Sequence, residues 1–159
     1  QKALYFFDMF ARHQYFRFIP HHFGPWCPDV DRLSNLVRDY LDFTGLDLSG
    51  LIDQALRHEL SGGDVERFHR WLPAMEAAAR LVNAECEQIE AMATVHAILR
   101  RAAPRALAEQ EVVESFFAWS EKKSERFDRR DVARALHSLA QHGLARAGLL
   151  GWESQDPAR

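Results

Sequence analysis

Two histidines and a cysteine, His21, His22 and Cys27, lie within seven residues, and His13 stands a little upstream. Imidazole and thiolate are ligands that suit zinc. The spacing matches no strong zinc pattern, because adjacent histidines point different ways and a second cysteine pair is missing. Histidines packed on aromatic rings in a rigid loop are the simpler reading. His96 sits beside Thr94, with Glu90 on a neighbouring turn. It could serve as a general base, but no nucleophile stands at a recognisable distance and there is no G-x-S-x-G elbow. A core histidine with satisfied ring nitrogens is the expected role. Cys86 lacks a basic partner in its own helical turn and is expected to fill core space. With no P-loop, no G-x-G-x-x-G and no H-E-x-x-H, the chain is expected to be no enzyme, with no catalytic residue, metal or cofactor.

The stretch from Phe16 to Pro28 organises the elements around these residues. It holds three of the six prolines, three phenylalanines, Trp26, two histidines and one of the two cysteines. Phe16 and Phe18 flank Arg17 with the period of a short strand. Pro20 and Pro25 bar a helix from passing through, and Gly24-Pro25 signals a turn. Pro28 suits the first turn of a following helix, with Asp29 and Asp31 placed at its positive end.

The remainder reads as helices. Leu4, Phe7 and Phe10 share a stripe in the first. Val30, Leu33, Val37 and Tyr40 do so between about 28 and 42, and a short helix over 51–60 ends at Ser61-Gly62-Gly63. Asp64 is expected to cap a long helix with Val65, Phe68, Leu72, Met75, Ala79 and Val82 on one face, kinked or divided at Pro73. The span 84–101, acidic at its start and basic at its end, is the expected buried central helix. Helices over about 108–123 and 129–143 follow, the second opened by an Asp128/Asp131 capping box. Leu144 to Trp152 is an apolar tail that could pair or pack. The fold class is therefore mainly α. We expect one compact domain over residues 1–150 with six or seven helices, a C-terminal tail over 151–159, and at most short β elements near 15–19 and 44–50.

The chain has 159 residues, 47% of them apolar, enough for one core. The helical pattern is already under way at Gln1, so a longer parent protein is expected. The longest uncharged apolar run, Ala91 to Leu99, falls short of the roughly 20 residues of a membrane span. Two isolated cysteines fit a reducing compartment, and a cytoplasmic location is expected. The net charge of −3 is unevenly spread: residues 29–90 carry 13 acids against 6 bases. That sign disfavours nucleic-acid backbone and favours a basic partner; a solvated acidic face is the alternative. Lys122, Lys123, Arg126, Arg129, Arg130 and Arg134 cluster around the junction of the last two helices, as in a phosphate-contacting helix-turn-helix. Glu121, Glu125, Asp128 and Asp131 largely cancel them, which points to surface ion pairing.

Four stretches in order carry a family resemblance: Gln1-Lys2-Ala3-Leu4-Tyr5-Phe6, Phe23-Gly24-Pro25-Trp26, Glu90-Ala91-Met92-Ala93-Thr94-Val95-His96, and Trp119 with Lys122, Lys123, Arg126 and Phe127 ahead of the Val132 to Leu144 helix. Together they resemble the carboxy-terminal domain of DarG-type antitoxins, and the first two also resemble Panacea-domain antitoxins. Residues 42–82 align with no motif, and the macrodomain of full DarG proteins is absent from this chain. The resemblance implies a non-enzymatic module that binds and sterically neutralises a DarT-type ADP-ribosyltransferase toxin, by occupying its basic nucleic-acid-binding face. The contacts expected on that reading are Asp29, Asp31, Asp39 and Asp42, with His22 and Trp26 on the exposed loop. The alternative function is a nucleic-acid-binding regulator that uses the last two helices.

Overall fold

The computed structural model describes residues 1–57 and 62–155. In chain order its elements are α1 (Lys2–Phe10), β1 (Ile19–His21), β2 (Gly24–Trp26), α2 (Pro28–Thr44), α3 (Leu48–Arg57), α4 (Gly62–Ala84), α5 (Ile89–Ala102), α6 (Glu109–Phe117), α7 (Glu121–Arg126), α8 (Arg129–Gln141), β3 (Ala145–Gly148) and β4 (Gly151–Ser154). The protein is mainly α, with two small antiparallel hairpins, β1–β2 and β3–β4. No helix among the described residues is long and apolar enough to cross a membrane.

The central element is α5. Ala91 to His96, Ile98 and Leu99 are all buried, because small and apolar residues surround this helix and let neighbours approach from several sides. It packs against α1, α6, α8 and both hairpins, while α4 closes over α1. The Asp128/Asp131 box forms at the start of α8. The Asp131 amide donates to Asp128 Oδ1 at 2.9 Å and the Asp128 amide to Asp131 Oδ2 at 2.8 Å, which satisfies two amides that have no partner inside the helix. Val132, Ala135, Leu136 and Leu139 then face the core.

Several sequence expectations shift. The span 108–123 divides into α6 and α7 because Ser120 adopts an extended conformation, which brings the described helices to eight. The strand expected over 15–19 begins only at Ile19, and its partner is the Gly24-Pro25-Trp26 segment itself, with Pro20 opposite Pro25. Residues 44–50 hold no strand: Thr44 ends α2 and Leu48 opens α3. The apolar tail forms β3–β4, so residues 151–154, set apart from the domain in the sequence reading, supply a strand. Trp152 in that strand is buried and exchanges backbone hydrogen bonds with Leu107.

Two further differences concern α4 and the turn after it. The helix starts at Gly62, ahead of the expected Asp64 cap, and runs through Pro73 undivided; Ser61 lies outside the described residues. Among its described side chains Ala74, Ala78 and Leu81 are buried, whereas Phe68 and Met75 remain exposed. Small alanines let α1 approach closely, so the buried face is rotated from the one that the larger side chains suggest. Cys86, expected in the core, is exposed on the turn before α5.

Candidate partner-binding surface

The motifs behind the family resemblance converge inside the body. The Lys2 ammonium donates to the Pro25 carbonyl at 2.7 Å. The Tyr5 hydroxyl meets His96 Nδ1 at 2.9 Å, and the Ser154 hydroxyl lies 3.4 Å from Nε2, so His96 is a partnered core histidine. Lys123 is fully buried and donates to Glu90 at 2.8 Å, and Arg126 spans both oxygens of the same carboxylate. Trp119 donates its indole N–H to the His21 carbonyl at 2.7 Å, and the Ser120 hydroxyl donates to the His22 carbonyl at 2.9 Å. Burial, and next the charge of Lys123, lowers the pKa of Lys2 to about 8. Burial likewise lowers that of Lys123, against the pull of Glu90. These residues seat the β1–β2 hairpin on α5 and α7.

The hairpin in turn launches α2. Gln1 clamps Cys27 through both backbone groups: its amide nitrogen donates to the Cys27 carbonyl and its amide oxygen accepts from the Cys27 N–H, each at 3.1 Å. Pro28 occupies the first turn, with Asp29 and Asp31 beside it, and Val30 is the single buried residue of a 17-residue helix. Gly45, left-handed at φ 68°, ends α2 with its N–H on the Leu41 carbonyl. Asp47 accepts from the Gly50 amide in the first turn of α3, and the Tyr40 hydroxyl reaches Gln54 at 3.2 Å.

Among the described residues no element packs extensively on α2 or α3, Val30 being the buried foot of α2, and both expose an apolar face. Leu33, Leu36, Tyr40 and Phe43 repeat at helical spacing, with Leu36 65% and Phe43 89% exposed. Leu48 and Ile52 extend the apolar surface onto α3. Withholding such side chains from water is worth about 1.5–3 kcal/mol each when complete. The arm forgoes this gain within the chain by itself. The sequence pattern put Leu33, Val37 and Tyr40 on one helical stripe; periodicity finds an apolar face and is silent on what covers it. Leu36 and Phe43, the most exposed of the stripe, went unnoticed for that reason.

The predicted contact residues are all on or beside this arm. Asp29, Asp31, Asp39 and Asp42 are exposed on α2, but helical periodicity does not put them on one face. Asp29 and Asp39 border the apolar stripe, whereas Asp31 and Asp42 lie toward the opposite side. Asp29 also pairs with Arg32 at 3.3 Å. Over residues 28–54 there are six acids and two bases, so the arm is acidic all round and apolar along one stripe. His22 is exposed and Trp26 partly buried. His21 lies between them, its ring centroid 5.3 Å from that of His22 and 5.5 Å from that of Trp26.

The other sites considered are not assembled. Cys27 is buried while His21 and His22 face outward, and no group of three metal-ligating side chains forms among the described residues. Of the basic residues near the α7–α8 junction, Lys123 and Arg126 are engaged with Glu90, Arg129 donates to Gln110, and Arg134 to Asp131. The carboxylates of Glu90 and Asp131 thus offset the charge of Lys123, Arg126 and Arg134, whereas Gln110 leaves the charge of Arg129 uncancelled. Family models, curated proteins and solved structures were all searched, and none matches this chain.

Proposed function

We propose that this chain is a non-enzymatic antitoxin module acting in the cytoplasm, and that its α2–α3 arm docks on a DarT-type ADP-ribosyltransferase toxin and blocks it sterically. The observation that carries the reading is the uncovered apolar stripe Leu33–Leu36–Tyr40–Phe43 on an acidic arm. The occupant with matching chemistry is a protein surface with an apolar groove and a basic rim. A toxin that grips nucleic acid carries the required charge, and the four resembling stretches point to the DarT type. Apolar burial would supply affinity while Asp29 and Asp39 at the stripe's edge favour encounter and orientation.

The test is calorimetric titration of the chain with a catalytically inactive DarT-type toxin encoded beside it. One-to-one binding is expected, weakened at least about tenfold by Leu36→Ser with Phe43→Ser, equivalent to roughly 1.4 kcal/mol. Reversing Asp29, Asp31, Asp39 and Asp42 to lysine leaves two acids and six bases over residues 28–54, and should chiefly slow association and invert its salt dependence. Absence of binding by a folded sample would refute the toxin as partner.

A further inference from the structure

Along α4, Phe68, Leu72, Met75, Ala79 and Val82 follow one another at spacings of four, three, four and three residues, the alternation of a coiled-coil seam. The core does not use this seam. Ala74, Ala78 and Leu81 are buried on another face, whereas Phe68 is 37% and Met75 43% exposed, Ala79 is exposed, and Leu72 and Val82 are half-buried. Among the described residues, α4 packs extensively on α1 alone. A seam of this period runs nearly straight along its helix, so a second helix can stay against it over its whole length. Charges of both signs flank it. His69 and Glu76 each stand one position past a seam residue, and Glu76 meets Arg80 at 3.6 Å with both side chains more than half exposed.

We propose that α4 pairs through this seam with α4 of a second copy of the chain, as an antiparallel coiled coil that closes a two-fold dimer. The seam reads compatibly in both directions, which decides the occupant. Setting Leu72 of one copy against Met75 of the other brings Phe68 against Ala79, and the two-fold axis repeats both contacts. Each layer then joins two side chains of middle size or one large and one small, so the layers match in volume. A parallel pair sets Phe68 on Phe68 and Ala79 on Ala79, overfilling one layer and leaving space in the other. The antiparallel register also places His69 of each copy beside Glu76 of the other, so imidazole meets carboxylate twice across the axis. The exposed Glu76–Arg80 pair yields at little cost. A flank of mixed sign suits a copy of itself, whereas the acidic arm suits a basic surface. Arm and seam lie on different helices, and the dimer does not rest on toxin binding.

The test is sedimentation equilibrium of the whole chain, from about 1 μM to about 1 mM. A reversible monomer–dimer equilibrium with a Kd at or below about 100 μM is expected for a two-helix contact of this length. Phe68→Glu and Met75→Glu, both at exposed positions, should each weaken the dimer at least about tenfold with circular dichroism unchanged. Glu76→Lys should weaken it about threefold, and His69→Glu in the same chain should recover it, as the antiparallel register requires. Leu36→Ser with Phe43→Ser on the arm should leave the dimer constant unchanged. A chain still monomeric at about 1 mM, a dimer undiminished by the folded seam variants, no recovery on adding His69→Glu, or a dimer lost on changing the arm overturns the proposal.

Discussion

Gly24 and Thr94 approach so closely that a Cβ built on the glycine would lie 2.5 Å from the Thr94 hydroxyl oxygen, and Gly24 holds a φ of +94°. Both facts forbid a side chain at this point. The hairpin therefore rests directly on the central helix, and everything launched from it inherits that seat. Gly24→Ala combines a steric clash with backbone strain and is expected to destabilise the fold by about 2 kcal/mol or more. Urea denaturation monitored by circular dichroism measures it. Because the strain persists without the hydroxyl, Thr94→Ala in the same chain should restore only part of the loss.

Glu90 bridges buried Lys123 and half-exposed Arg126. Removing one member of a buried ion pair leaves the other charge without compensation, at about 3–5 kcal/mol. Glu90→Ala is expected near the lower end, since Lys123 can shed its proton. Lys123→Met should cost less: methionine fills the space between Phe116 and Phe127, whose ring centroids lie 5.4 and 5.2 Å from the Lys123 ammonium, and Glu90 keeps Arg126. Comparing the two unfolding midpoints checks the order.

The lowered pKa of Lys2 sets a pH dependence. The unfolded chain binds this proton up to about pH 10.5, whereas the folded chain releases it near 8. Between those values the unfolded state holds more protons, so this group makes stability rise with pH across that window. Below about pH 8 both states are protonated, and the penalty of the buried charge is present in full. Lys2→Met is expected to flatten that part of the profile, read as unfolding free energy against pH. A profile of unchanged slope would contradict the burial of this ammonium.

The arm should be the least protected regular structure in the free protein. With Val30 as its one buried residue, α2 opens without breaching the core, and local opening needs far less free energy than global unfolding. Hydrogen exchange is expected to be fast over residues 33–54 and slow over 91–99. Leu36→Ser and Phe43→Ser, at positions 65% and 89% exposed, should change global stability by no more than about 0.5 kcal/mol. Slowed exchange over 33–54 on adding the inactive toxin would map the docking surface.

Much of the body is legible in the sequence. The small and apolar run Ala91 to Leu99 reads as a buried helix, and Asp128 and Asp131 state their capping box by spacing alone; the turn signalled by Gly24-Pro25 falls instead at His22-Phe23, with Gly24 and Pro25 opening strand β2. These are local signals, carried by propensity, periodicity and backbone chemistry within a few residues of one another. The β3–β4 hairpin was less clear, because its strands are short and held partly by the distant Leu107 backbone.

The candidate surface is a different matter. The acids and apolar positions of α2 can be read from the chain, and so can the family-like motifs. Whether Leu33 and Tyr40 meet a core or water depends on where the chain leaves the hairpin, a direction set by the Gln1 clamp on Cys27 and the seat of Gly24 on Thr94. By itself the sequence determined a mainly α chain with a central buried helix, an acidic middle and a proline-rich stretch that interrupts the helices. Only the tertiary structure decided that α2 and α3 stand clear of the body, that Lys123 is buried beside Glu90, and that Phe68 and Met75 on α4 stay exposed. Each of those depends on contacts between residues far apart in the chain, and periodicity within one helix cannot encode what the other side of the helix will meet.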